Sequence, residues 1–230
     1  MASPAVYAFI PARGGSRRVK KKNLAYLQGK PLFAHAVKVA RNSGLFQKIY
    51  VNSEDAEILA VAALLKAEPY RRPQDLAGDQ VFIIEVLKEM VRTLRLADTA
   101  VLGIMLPTCP LRTVADVQGA YRLFQEAGSN TPVVSVAAFD IPIQLAHFIK
   151  ADGRLDPVFP RDYRQSTRST DHQTAYYYNE AIIFNTVGNL LKQTNLIGKR
   201  PLPYIMPAER SHLIDYGHQM EIVRLLMSGK

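Results

Sequence analysis

One cysteine, Cys109, in 230 residues removes two kinds of structure at once: an intrachain disulfide and a cysteine-based metal cluster. A lone thiol fits a reducing compartment, and the cytoplasm is the expected location. No apolar run is long enough to cross a bilayer, and the first residues lack a signal-peptide pattern, so no membrane partner is expected. The five histidines (His35, His147, His172, His212 and His218) show no ligand spacing such as H-x-x-x-H. Neither phosphate-binding glycine motif is present, neither G-x-x-x-x-G-K-[ST] nor G-x-G-x-x-G. Internal repeats and low-complexity linkers are also missing.

What is present is a chain of the length of one α/β domain, with a hydrophobic content of 48%, enough for a sizeable core. The formal charge of +9 calls for an acidic partner. The bases concentrate at 13–22 and 154–168 instead of forming a basic face interleaved with aromatics, so the pattern favours a localised anion site over nucleic acid.

The opening stretch, VYAFIPARGGSRRVKKKN, carries the strongest signal. A short apolar run, Val6 to Ile10, reads as a buried strand and ends at Pro11. Gly14 and Gly15 follow, with six Arg or Lys side chains between Arg13 and Lys22. Glycines let the backbone turn tightly and bring N–H groups to a ligand, and the cations complete a concavity suited to a polyphosphate.

Apolar periodicity then predicts a helix over 32–42, a strand over 48–53 and a helix over 56–66 with its N-cap at Ser53–Asp55. A loop is expected from Tyr70 to Asp79, a helix over 81–96, and a central strand over 99–106 ending at PTCPLR. A helix over 114–127 with Asp116 in its first turn and a strand over 132–138 complete a run of parallel βαβ units. From Phe139 the pattern changes, with a hairpin turn at 150–154 and apolar patches at 141–148 and 155–159 that need cover, from a second subunit or from the arm folding back on its own domain. Residues 1–138 and 179–230 are therefore expected to form the main α/β domain, and 139–178 an inserted arm. Strands are expected at 181–185 and, at a sheet edge, 202–206, and a closing helix at 220–227. Cys109 and His35 read as packing residues, Asp55 as a cap, and Tyr176, Tyr177 and Tyr178 as split between core and pocket.

IPARGGSRRVKKKN, RRPQDLAGD, PTCPLR and LID, in this order and spacing, resemble the acylneuraminate cytidylyltransferase family. FDIPIQ, FPRDY and RSTD look closest to the branch that activates pseudaminic acid, while NEAIIFN is nearer the sialic acid branch. The resemblance implies a Rossmann-like, mostly parallel sheet with helices on both faces, a protruding dimerisation arm and a homodimer. It implies Mg²⁺-dependent transfer of CMP from CTP to an acidic nine-carbon sugar, with release of pyrophosphate. By matching motif, Arg13, Gly14, Gly15, Ser16, Arg17 and Lys22 would hold the triphosphate, Asn23 would lie by the cytidine or its phosphates, and Arg72 would reach the cytosine side. Pro107 and Thr108 complete the nucleotide set, and Arg71 is expected in solvent. Arg13, Lys22 and Asp215 would carry catalysis, with Asp215 the Mg²⁺ ligand. Gln144, Arg168 and Tyr178 are the sugar-site candidates.

The chain also departs from the family pattern. Leu106 stands where a glutamine precedes P-T-S-P-L-R, Leu213 replaces the first acid of I-D-I-D, and Glu180 replaces the glycine of an Asn-Gly pair. Val81 and Phe82 fall where small hydroxyl residues are common. Glu180 is a candidate replacement oxygen for the lost metal ligand. These losses keep three alternatives open: a relative that binds nucleotide or sugar without turnover, a nucleotidyltransferase for another base or sugar, and a nucleic-acid module.

Overall fold

The computed structural model describes residues 4–166 and 168–229. The first strand, β1 (Val6–Pro11), alternates its side chains between two layers. Ala8 and Ile10 join one core cluster and Phe9 the other. After the basic loop come a 3₁₀ turn at Lys22–Leu24, a small hairpin of β2 (Tyr26–Leu27) and β3 (Lys30–Pro31), and α1 (Leu32–Ser43). Helix α1 stops at Gly44, whose φ of 69° is the left-handed cap that glycine adopts without a Cβ penalty. There follow β4 (Lys48–Ser53), α2 (Ala56–Leu64), β5 (Glu68–Arg71), α3 (Ile83–Thr93), β6 (Val101–Ile104), α4 (Val114–Glu126) and β7 (Val133–Ala138). Asp55 caps α2, accepting from the Glu57 and Ile58 backbone N–H groups.

The segment after β7 carries a hairpin of β8 (His147–Ile149) and β9 (Leu155–Pro157), then a short helix, α5 (Pro160–Gln165). Its tight turn includes Gly153 at φ 82°. The chain returns through β10 (Tyr176–Thr186), α6 (Val187–Lys192), β11 (Leu202–Ile205) and α7 (Gly217–Ser228).

Seven strands form one sheet in the order β11-β7-β10-β6-β1-β4-β5. All neighbouring pairs are parallel except those made by β10, which runs antiparallel to both β6 and β7. Apolar residues of α1, α2 and α4 (Phe33, Ile58, Phe124) cover one face, and those of α3 and α6 (Leu87, Met90, Leu190) cover the other. The architecture is the α/β sheet with helices on both faces expected from the βαβ spacing. Parallel strands β1, β4 and β6 send their carboxyl ends to the same edge, which is where open α/β sheets gather ligand-binding loops.

Three details differ from the sequence reading. Tyr70 and Arg71 belong to an edge strand, not to a loop. Pro69 hid it, since proline lacks an N–H and is tolerated at a sheet edge. The return strand begins at Tyr176, five residues before the expected Ala181. Tyr176, Tyr177 and Tyr178 pair with Ala138, Ala137 and Val136, so they lie in the main sheet and not in the inserted arm. A break in register between Tyr178 and Ile183 interrupts the apolar alternation that would have shown one long strand.

Helix α4 opens with a capping box. The Thr113 hydroxyl accepts from the Asp116 N–H, and the Asp116 carboxylate accepts from the Thr113 N–H. Asp116 is buried and also takes a two-pronged contact from Arg210, at 2.8 and 3.1 Å. Burial alone would raise its pKa, but the hydrogen bonds from Arg210 and Thr113 outweigh it and hold the carboxyl below the usual range. A depressed folded pKa means stability that is complete above the unfolded value, about pH 4, and is lost as pH falls through the folded value. Asp116→Asn is expected to cost about 2 kcal/mol at neutral pH and to flatten the fall in stability below pH 4, measured by urea unfolding across pH.

Candidate active site

The loop after β1 is held from three sides. Ala12 N–H donates to the Asn52 carbonyl, which extends the β1–β4 ladder by one bond. The Asn23 side chain, buried, donates to the Arg13 carbonyl at 2.8 Å and closes the loop on itself. Gly14 passes so close to Asp55 that a Cβ would lie 2.6 Å from its Oδ2, so glycine is required there by contact. The Gly14 N–H donates to Glu54 Oε1 at 2.7 Å, and the Gly15 N–H reaches the same oxygen at 3.4 Å.

Every cation of the loop that faces the sheet edge is matched by a carboxylate of the chain. Arg13 and Arg17 grip the two oxygens of Asp79, Arg13 at 2.5 Å. Lys22, mostly buried, lies 2.9 Å from Asp215 Oδ1 and 3.0 Å from the Ile214 carbonyl, and Arg18 reaches Asp215 at 3.8 Å. Hydrogen bonds from Arg17 and Arg13 hold the Asp79 carboxyl below its usual range. Carboxylates thus occupy the donors that phosphate oxygens would use.

Beside this cradle opens a cavity of about 290 Å³. Arg13, Ser16, Lys22 and Asn23 form its cationic side; Val81, Ile83, Val86 and Leu106 form an apolar side. Arg72 also lines it. It is buried, donates to the Asn52 side chain at 2.6 Å, and burial lowers its pKa. Arg71 is exposed, as expected. A second hollow of about 220 Å³ shares Arg13, Ser16, Lys22 and Asp79 with the first and adds Arg17, Arg18 and Asp215.

Pro107, Thr108 and Glu180 make the third wall of the main cavity. Arg112, fully buried, fixes that wall by donating to the Leu106, Cys109 and Ala181 carbonyls, the Cys109 contact at 2.9 Å. One guanidinium therefore ties the loop after β6 to the irregular stretch of β10. Cys109 is buried beside it, and burial pushes its thiol pKa up to about 11, which suits packing and not nucleophilic chemistry. His35 is also buried and bonds the Leu27 carbonyl.

The expected nucleotide residues thus converge: Arg13, Gly15, Ser16, Lys22, Asn23, Arg72, Pro107 and Thr108 all line one cavity, with Gly14 and Arg17 adjoining it. The sugar-site candidates do not join them within one chain. Gln144 lies in the segment after β7, 3.4 Å from the Gln173 carbonyl, with its Oε1 buried and unpaired. Arg168 is exposed beside Asp171. Tyr178 has a buried hydroxyl with no partner, and burial raises its pKa far above the usual value. Glu54 and the ion-pairing role of Asp79 were missed. The RRPQDLAGD block carried Asp79 in plain view, but only the folded sheet brings it to Arg13, 66 residues away.

Asp215 offers a single hard carboxylate inside a cationic cradle, and no group of three ligating side chains is found among the described residues. This donor set fits a magnesium ion carried in on substrate phosphates, not one caged by the protein.

The family model described as "Cytidylyltransferase" matches residues 7–101, the span from β1 to the start of β6. The chain is 28% identical over 225 residues to the N-acylneuraminate cytidylyltransferase of Escherichia coli O18:K1:H7, covering 98% of this chain and 52% of that one. It is 27% identical over 220 residues to the pseudaminic acid cytidylyltransferase of Campylobacter jejuni strain 81-176, covering 94% of each. By sequence, this chain resembles the acylneuraminate cytidylyltransferases. It spans about half the length of the E. coli relative and nearly all of the Campylobacter one. Among solved structures, a CMP:2-keto-3-deoxy-manno-octonic acid synthetase complexed with CTP matches with a TM-score of 0.71 at 14% identity, over 98% of this chain and 99% of that chain. A 4-diphosphocytidyl-2C-methyl-D-erythritol synthase matches with a TM-score of 0.68 at 15% identity, over 99% of this chain and 100% of that chain. The chain thus shares their fold.

The site geometry generates one prediction of its own. Asp79 competes for the two guanidinium groups that a phosphate chain would engage, so Asp79→Asn should tighten inorganic triphosphate binding severalfold at low salt. Isothermal titration checks this; weaker binding would mean that Asp79 serves to preorganise the arginines.

Proposed function

We propose that this chain transfers CMP from CTP to the anomeric hydroxyl of a nonulosonic acid of sialic, pseudaminic or legionaminic type. The observation that carries the reading is the join between an apolar pocket beneath Arg72 and a cationic cradle at the carboxyl edge of the parallel strands. A base fits the first and a phosphate chain fits the second. The names of the relatives supply the base and the class of acceptor.

In the reaction the acceptor hydroxyl oxygen bonds to the α-phosphorus and releases its proton to solvent, the bond from that phosphorus to the bridging oxygen breaks, and pyrophosphate leaves with that bond's electron pair. Positioning and charge neutralisation supply most of such catalysis. Arg13, Arg17 and Lys22 would turn from Asp79 and Asp215 to the phosphates and hold the charge that accumulates on the leaving group. The Gly14 and Gly15 N–H groups, which here donate to Glu54, would add two donors on exchanging that carboxylate for a phosphate. Ser16 and Asn23 would orient the chain of phosphates, and Arg72 the nucleoside. Asp215, freed from Lys22, would hold Mg²⁺, which when bound supplies further neutralisation of the triphosphate.

The reading extends to a homodimer. Ile141, Phe148, Ile149 and Leu155 are 61–77% exposed on the segment after β7, a cluster of apolar surface that a second copy would cover. Such a partner would also give Gln144 and Arg168 a cavity to reach.

Pyrophosphate release from CTP, assayed with a panel of nonulosonic acids, tests the activity. Arg13→Ala and Lys22→Ala should each lower kcat/KM by about a hundredfold or more. Asp215→Asn should raise the Mg²⁺ concentration needed for half-maximal rate. A stronger thermal shift with another nucleoside triphosphate than with CTP would overturn the cytidine assignment, and tight CTP binding without turnover on any acid would indicate a binding protein. Sedimentation should give a dimer at micromolar concentration, and Ile149→Asp together with Phe148→Asp should give a monomer.

A further inference from the structure

Glu180 has an unusual position. It lies in the interrupted stretch of β10 with φ at 57°, the left-handed region that β-strand residues with a Cβ avoid. Strain of this kind persists where the surroundings hold it, and here they do. The Asn179 side chain beside it is buried, donating to Ser211 Oγ at 2.9 Å, and the Ala181 carbonyl on its other side is held by Arg112. The strained backbone places a carboxylate in the wall of the main cavity.

That carboxylate changes the chemistry of its neighbour. Thr108 Oγ1 donates to Glu180 Oε2 at 2.7 Å, so the threonine's only proton is used within the wall. Glu180 Oε1 accepts no hydrogen bond from the described residues. Leu106, in the same wall, contributes no polar group. The side chains of Leu106, Thr108 and Glu180 therefore offer acceptors only, with a negative charge among them. The Thr108 carbonyl accepts from the Ile214 N–H, next to Asp215 and Lys22, so this wall adjoins the phosphate cradle, and Leu106 joins it to the apolar side of Val81, Ile83 and Val86.

We infer that Glu180 is a specificity-determining residue for the acceptor: its carboxylate takes a hydrogen bond from an N–H or O–H of the sugar acid and turns that sugar's own carboxylate away, toward the cations of the loop. The inference rests on the cytidylyltransfer reading above. A donor on the sugar satisfies Oε1 at no cost to the wall. A carboxylate brought to the same place meets a like charge and no donor. One substrate orientation is thereby favoured before Lys22 and Arg13 engage the other end.

The test compares Glu180→Gln and Glu180→Gly with the parent enzyme by steady-state pyrophosphate release, varying CTP and acceptor separately. Both variants should raise the acceptor KM at least tenfold while CTP KM moves less than twofold, with the glutamine variant, which keeps one carbonyl acceptor, the milder. Glu180→Gly should unfold at the same temperature as the parent or higher, because glycine accepts the positive φ; a merely structural glutamate would lose stability instead. Unchanged acceptor KM in both variants, with the parent active, overturns the inference alone. A rise confined to CTP KM also overturns it and makes Glu180 a reader of the base. Silence of the parent with every acid overturns the cytidylyltransfer reading, and this inference falls with it.

Discussion

The loop after β1 concentrates positive charge at a sheet edge, where its cations repel one another, and the chain supplies anionic partners from distant segments. Asp79 arrives from the stretch before α3 and Asp215 from the stretch before α7, each pairing with cations of the loop, while Glu54, just after β4, accepts from the Gly14 backbone N–H. Each contact spans a large sequence separation, so each also staples the loop to a different part of the fold. In water such pairs contribute modestly to stability. Their larger effect is to keep the cations clustered and outwardly poised, so that an incoming polyphosphate exchanges one set of anionic partners for another instead of assembling a site from scattered side chains.

A second constraint is the caging of Arg112. A buried guanidinium that donates to three carbonyls, with the Asp116 and Glu180 carboxylates acting only at longer range, is costly to bury and therefore demands that those carbonyls stay in place. The loop after β6 and the bulge of β10 are locked to each other by that demand. The cavity wall is consequently rigid on the side of Thr108 and Glu180, while the opposite, cationic side carries long side chains, Arg13 and Lys22, that can re-pair. A stiff wall facing an adaptable one suits a site that must admit a flexible phosphate chain and still hold a reacting sugar in one pose.

Most of the scaffold was legible in the sequence, because its elements are strongly periodic and end at unambiguous punctuation: Gly44 after α1, Asp55 before α2, Thr113 and Asp116 at the start of α4. The cradle was legible for the same reason, since strand, glycines and cations are contiguous. What stayed hidden depends on long-range geometry. Strand β5 carries Pro69 and lacks clear alternation, so only its pairing with β4 reveals it. The start of β10 was obscured by a bulge that breaks its period. Asp79 could be read as part of a motif but not as the partner of Arg13 and Arg17, because nothing local announces a contact across 60-odd residues. Gln144 and Arg168 lie on the segment after β7, away from the cavity within one chain, and nothing in their local pattern announces that separation.

Strand β10 has a mechanical consequence. Its first residue, Tyr176, emerges from the inserted segment, and only four residues later Glu180 stands in the cavity wall, a distance of about 13 Å along an extended backbone. Tyr176, Tyr177 and Tyr178 are paired with β7, and the ladder breaks only where Glu180 itself stands, so little slack separates the two. A push on the start of this strand would reach the wall as displacement, through a splint and not a tether.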